Sequence, residues 1–142
     1  MVMDSQKIVL TKKNKNTFIF EDFSEDDTVH SLRFDPGEEG KIWVSNINIE
    51  IITNEGEFLN YKLDDIDSNG LKLNDGILFL KPDPQINIPL AKAIKIKCVK
   101  IKCKIHFQIP DFVADKIYYY KKSFYFKNIF LKIARKIKHF IK

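Results

Sequence analysis

The chain has 142 residues, 44% of them hydrophobic and 30% charged. That balance suits one globular domain and excludes a disordered or collagen-like chain. Nine Lys or Arg residues and no acid lie between Lys116 and Lys142, so the other 15 of 24 bases face all 19 acids and residues 1–115 carry a net −4. The overall charge of +5 therefore belongs to the C-terminal segment, and nucleic acid is not an expected partner of the acidic body.

Residues 7–11 read as a short strand, Asn14 to Asn16 as a turn, and residues 17–20 as the returning strand. An acidic loop follows from Glu21 to Asp27. Residues 28–34 alternate again, with His30 in phase with Leu32 and Phe34, which gives it a structural place on their face. Asp35-Pro36-Gly37 is a turn, since Pro fixes φ and Gly admits positive φ.

Residues 41–53 form the longest strand. Its apolar phase slips between Val44 and Ile47, which predicts a bulge near Ser45-Asn46. Trp43 has the opposite parity to Ile42 and Val44. That turns it away from their core and makes it the candidate for stacking on a sugar ring, with core or edge packing as the competing reading. Asn54-Glu55-Gly56 closes a hairpin with residues 57–63. Asp64 to Gly70 is a polar loop, strands follow at 71–73 and 77–81, and Pro82-Asp83-Pro84 breaks the pattern.

Residues 93–107 alternate most cleanly, but Ile94, Ile96 and Cys98 have one parity and Val99, Ile101, Cys103 and Ile105 the other. A one-residue slip turns every side chain over, so this stretch needs a bulge at Cys98-Val99 or a break into two strands; the bulge is the preferred reading. Cys98 and Cys103 would stand ~17 Å apart along a strand, too far for a disulfide. Short strands separated by turns, with no helical period before Asp111, define the expected class: all-β, a two-sheet antiparallel β-sandwich or jelly roll over residues 1–110.

Residues 111–142 differ in kind. Phe126, Ile129, Phe130, Ile133, Ile137, Phe140 and Ile141 recur at three- and four-residue spacing, the period of an amphipathic helix. Lys127, Lys132, Arg135, Lys136, Lys138, His139 and Lys142 fill the other side. Such a tail or linker would offer Lys127, Phe130, Lys132, Ile133, Arg135, Lys136, Ile137, Lys138 and Phe140 to an anionic membrane surface or a protein partner.

Catalytic signals are missing. The five glycines are isolated in turns, so no phosphate-binding loop forms, and GxSxG and HExxH are absent. Cys98, Cys103 and His106 match no common zinc spacing. The acidic stretches Glu25-Asp26-Asp27 and Asp64-Asp65-Ile66-Asp67 read as solvated loops. The expectation is a chain without enzyme activity, cofactor or metal. The start lacks a signal-peptide h-region and no apolar run reaches ~20 residues. These features point to a cytoplasmic setting, with peripheral contact at the inner membrane face through the tail.

The segment Leu32-Arg33-Phe34-Asp35-Pro36-Gly37, followed about fifty residues later by Lys81-Pro82-Asp83-Pro84-Gln85-Ile86, resembles two motifs of a β-sandwich accessory domain found beside bacterial surface-polysaccharide glycosyltransferases. The resemblance spans roughly residues 15–107. It implies a jelly-roll-like module reminiscent of carbohydrate-binding modules, with no catalysis of its own. Its partners would be a glycosyltransferase domain or protein, and a glycan. Arg33, Asp35, Pro36, Asp83 and Pro84 carry the motif as structural residues. The functional expectation is a glycan-binding or scaffolding accessory module for polysaccharide biosynthesis; the alternative is attachment to a membrane surface or a protein through the basic helix.

Overall fold

The computed structural model describes residues 1–3, 6–7, 10, 12–38, 40–115 and 118. Two compact units divide the chain, Met1–Gln108 and Ile109–Lys142. The first is a two-sheet antiparallel β-sandwich.

Among the described residues twelve strands build it: β1 (Val2–Met3), β2 (Gln6–Lys7), β3 (Lys12–Asn14), β4 (Thr17–Phe20), β5 (Val29–Phe34), β6 (Ile42–Thr53), β7 (Phe58–Lys62), β8 (Asp67–Ser68), β9 (Leu71–Leu73), β10 (Gly76–Phe79), β11 (Ile86–Ile94) and β12 (Ile96–His106). A 3₁₀ turn, Leu63–Asp65, follows β7. The smaller sheet has the order β2-β1-β5-β11-β8, and the larger has β3-β4-β12-β6-β10-β9 with β7 also paired to β6.

The inner faces carry the alternating apolar residues. Leu32, Phe34, Ile86, Ile88 and Ile94 of the smaller sheet meet Phe20, Val44, Ile49, Ile51, Ile77, Val99 and Ile101 of the larger in one buried cluster. Phe34 ties the two sheets, with its ring centroid 5.4 Å from Phe18 and 6.3 Å from Phe20. Burying each large aliphatic side chain here contributes about 1.5–3 kcal/mol.

The predicted bulge in β6 is present. Lys102 pairs with Asn48 and Lys104 with Ser45, so β6 holds one more residue than β12 over this stretch. Asn46 has φ 52°, a left-handed conformation that Asn tolerates better than most residues. Its insertion lets Val44 and Ile47, which differ in parity, face the same core.

The stretch 93–107 resolves differently from the preferred reading. It belongs to two strands, and the break falls at Lys95: Ile94 ends β11 in the smaller sheet and Ile96 starts β12 in the larger. A register shift does occur, but between Ile96 and Cys98, with Lys97 as the extra residue. Crossing between sheets lets Ile94 and Ile96 both reach the core.

Two further expectations are corrected. His30 is exposed although Leu32 and Phe34 are buried. Val29 pairs with Ile94 and Ser31 with Pro89, an irregular register that breaks the phase of β5 at His30. At the N-terminus, Gln6–Lys7 pairs with Val2–Met3 and Leu10 is outside any strand, so the strand expected over residues 7–11 is not continuous; residues 8, 9 and 11 lie outside the described residues, and Lys12 pairs with Ile19 of β4. The sequence pattern also omits β11, because Pro89 interrupts it.

In the second unit, residues 111–115 are helical. The N–H groups of Val113 and Ala114 donate to Pro110 O, both at 3.0 Å. The proposed contact residues Lys127, Phe130, Lys132, Ile133, Arg135, Lys136, Ile137, Lys138 and Phe140 lie outside the described residues. Among the described residues no helix is long and apolar enough to cross a membrane.

Candidate functional site

The two sequence motifs meet in space. Phe34 pairs with Ile86 and Arg33 with Asn87 in the β5–β11 ladder, so a separation of about fifty residues in the chain closes to one strand spacing. The motif prolines Pro36 and Pro84 are both buried. Asp83, at φ 62°, donates its N–H to Glu38 O at 3.3 Å. Around it Asn69 Nδ2 donates to Asp83 O at 2.8 Å, and Gln85 Nε2 donates to Asp83 Oδ2 at 2.7 Å. Asp35 and Pro36 thus follow the end of β5 without an assigned turn, Asp83 lies in a bend held by these hydrogen bonds, and both prolines are packed away from solvent.

Arg33 occupies a different position. Its neighbours Leu32 and Phe34 point inward, so the Arg33 side chain stands on the outer face of the smaller sheet. Its Nη2 donates to Asp35 Oδ2 at 2.9 Å, and its Nε lies 2.9 Å from Asp35 Oδ1. Nε and Oδ1 are both shielded from solvent and make no hydrogen bond, their approach being that of an ion pair. A planar guanidinium gripped along one edge is held in a fixed orientation, which leaves both Nη1 hydrogens and one Nη2 hydrogen for another acceptor.

That outer face forms an open concavity of about 450 Å³ whose lining includes Val2, Ser31, Arg33, Asp67, Asn87 and Pro89. The register explains the grouping. Val2 pairs with Arg33, Arg33 with Asn87, and Asn87 with Asp67. Directly opposed residues share a face, so one cross-strand row presents an apolar side chain, a guanidinium, an amide and a carboxylate. Neither Asp67 nor Asn87 has a side-chain hydrogen bond or ion pair among the described residues. Arg33, Asp35 and Asp67 sum to one negative charge.

Trp43 does not serve as the expected platform. Its outward parity holds, since it is absent from the core cluster that contains Ile42 and Val44. Exposure does not follow: only 1% of its surface is accessible, so its ring faces are not open to a sugar. The indole lies across Gly76, where a Cβ would come 2.6 Å from Cζ2. Leu78, its partner across the β6–β10 ladder, is also buried outside the core cluster.

The remaining chemical candidates stay separate. Cys103 is buried in the core and Cys98 is half-buried, and neither is in a disulfide. Burial pushes the Cys103 thiol up to about 12. His106 Nε2 and Ser45 Oγ stand 3.4 Å apart, with no acid completing a triad in the contacts described. No group of three His, Cys, Asp or Glu among the described residues is placed to hold a metal ion.

Asp67 and Asn87 are not legible as site residues in the sequence. Asp67 reads as part of a polar loop, and Asn87 lies in a strand the alternation omits. The signal that could flag them is the pairing of β5, β11 and β8, which no local pattern encodes. Comparisons of the chain with family models, characterised proteins and solved structures give no match.

Proposed function

We propose that this chain is a non-catalytic accessory module that binds glycan on the outer face of its smaller sheet, in the service of a bacterial surface-polysaccharide glycosyltransferase. One observation carries the binding half: the Arg33 guanidinium, oriented by Asp35, shares a 450 Å³ concavity with Asp67 and Asn87. Sugar hydroxyls donate and accept at once. Neighbouring hydroxyls are therefore matched by an array that mixes donors with an unspent carboxylate and amide. Val2 and Pro89 supply the apolar contact that a sugar's C–H face needs. The net negative charge favours neutral or amino sugars over uronic acids or phosphorylated chains.

The glycosyltransferase half rests on the resemblance of the two motifs alone. Attachment through the basic C-terminal helix rests on sequence and is compatible with this reading.

The test is calorimetric titration of the full chain with neutral and amino-sugar oligosaccharides, repeated with Asp67→Ala and Asn87→Ala. Both residues are exposed and outside the core, so the variants should fold like the unmodified protein. Binding of an oligosaccharide that weakens at least ~5-fold in each variant, as expected for the loss of about 1 kcal/mol per hydrogen bond, supports the reading. Absence of binding at millimolar sugar, or binding indifferent to both substitutions, defeats it.

A further inference from the structure

The outer face of the larger sheet carries the opposite charge from the body as a whole. Two cross-strand rows define it. Asn14, Thr17, Lys102, Asn48 and Lys62 are opposed in register across β3, β4, β12, β6 and β7. Ile19, Lys100, Glu50 and Asn60 form the next row. The intervening residues Ile49, Ile51, Val99, Ile101 and Cys103 point into the core, so both rows stand on the outside. Lys104 continues β12 on the same face, opposite Ser45.

Among the described residues, Lys62, Lys100, Lys102 and Lys104 share this face with Glu50 as its single acid, a net +3 on a body of −4. Glu50 is itself engaged: Lys102 Nζ lies 3.6 Å from its Oε1, which also accepts from Asn48 Nδ2 at 3.4 Å. Asn60 Nδ2 in turn donates to Asn48 Oδ1 at 2.9 Å. Lys62, Lys100 and Lys104 have no ion pair or side-chain hydrogen bond among the described residues. These bonds spend the Asn48 carbonyl and one Glu50 oxygen, and leave ammonium and amide N–H groups turned outward. A cationic face rich in donors is satisfied by a partner rich in anionic oxygen.

The layout of the charges selects among such partners. Lys100, Lys102 and Lys104 stand in line along β12, one at every second residue, about 6.6–6.8 Å apart at the backbone. Exposed acids border the face: Asp64 and Asp65 follow Lys62, Glu57 precedes β7, and the loop Glu21–Asp27 leaves the end of β4. A broad anionic lipid surface would meet those acids, whereas a single chain laid along β12 meets the lysines. Neither row holds an aromatic side chain, so the bases of a single-stranded nucleic acid would find no stacking partner. The chemistry that fits is a linear polymer with anionic groups at short, regular intervals and no bases, an acidic polysaccharide.

We infer that the lysine line of β12, with Lys62 two strands away, binds an acidic polysaccharide chain on the outer face of the larger sheet. The site lies on the other sheet from the Arg33 concavity and does not depend on glycan binding there. The two faces differ in the sign of their charge, and so in the sugars they take.

The test is titration of the full chain with a fluorescent heparin hexasaccharide as the acidic probe. The basic C-terminal segment attracts polyanions too, so charge-reversal variants carry the result. Lys100→Glu and Lys104→Glu should each weaken binding at least ~5-fold at low salt, and less at high salt. Lys81→Glu, exposed between β10 and β11, makes the same change of net charge away from the face and should weaken it less than ~2-fold. None of the three lysines belongs to the core, so the variants should fold like the unmodified protein. Asn87→Ala, in the other concavity, should leave the affinity unchanged. Equal effects from the three reversals, or no binding at low salt, overturn the inference. So does tighter binding of oligothymidylate or of phosphatidylserine vesicles that Lys100→Glu and Lys104→Glu weaken, which would give the face to nucleic acid or lipid.

Discussion

Asn69 and Gln85 exchange two hydrogen bonds across sixteen residues of chain: Gln85 N–H donates to Asn69 Oδ1 at 2.8 Å, and Asn69 N–H donates to Gln85 O at 3.2 Å. Asn69 Nδ2 adds a third bond, to Asp83 O. One side chain thus satisfies both sides of the turn that carries the second motif. Asn69→Ala removes the acceptor for Gln85 N–H and the donor to Asp83 O, and should cost about 1–2 kcal/mol in urea unfolding. A change below ~0.3 kcal/mol would show that water replaces these bonds without loss.

Burial along β12 predicts a sharp contrast between neighbours. Ile101 is 1% exposed and pairs with Phe18 and Ile49. Ile101→Ala should destabilise by about 2–4 kcal/mol. Lys102 is exposed and 3.6 Å from Glu50, so Lys102→Ala should stay within about 0.5 kcal/mol. Equal effects in denaturant titrations would contradict the register of β12.

Two glycines should respond differently to Ala. At Gly76 a Cβ would stand 2.5 Å from Val44 O and 2.6 Å from Trp43 Cζ2. Strand and indole must both shift, so Gly76→Ala should cost about 1–3 kcal/mol or more and change Trp43 fluorescence. At Gly56 nothing lies within 4 Å, but φ is +84°. There Gly56→Ala should cost about 1–2 kcal/mol from backbone strain alone and leave the fluorescence unaltered.

The Cys103 thiol titrates near 9.0 when unperturbed and is pushed up to about 12 by burial. Between those pH values the unfolded chain has lost the proton that the folded chain keeps. Fewer protons bound in the unfolded state means that stability falls as pH rises. This contribution is fully present below pH ~9 and is lost towards pH ~12. Cys103→Val should therefore lose stability less steeply over that window than the unmodified protein, measured by urea midpoints. In native buffer a thiol reagent should modify half-buried Cys98 first and Cys103 only on unfolding.

The all-β class and most strand positions are legible in the sequence because sheet faces impose a period of two on neighbouring residues. The β6 bulge is legible for the same reason, as a slip in that period at Asn46. Local pattern also gives the outward parity of Trp43, yet parity reports only which face a side chain takes. Whether that face is covered depends on groups brought there by the fold, and Trp43 is buried. Pro89 hides β11, so the crossing between sheets at Lys95 looks like one continuous strand with a bulge.

The concavity lies further beyond local pattern. Arg33, Asn87 and Asp67 come from β5, β11 and β8, and only the pairing of those strands sets them in one row. Residue order thus determined the periodicities, the turns and the charge division between body and tail, all of which arise between near neighbours in the chain. The tertiary structure alone decided which strands lie side by side, and so which distant polar groups share a surface, because hydrogen-bonded pairing between strands joins residues across any distance in sequence.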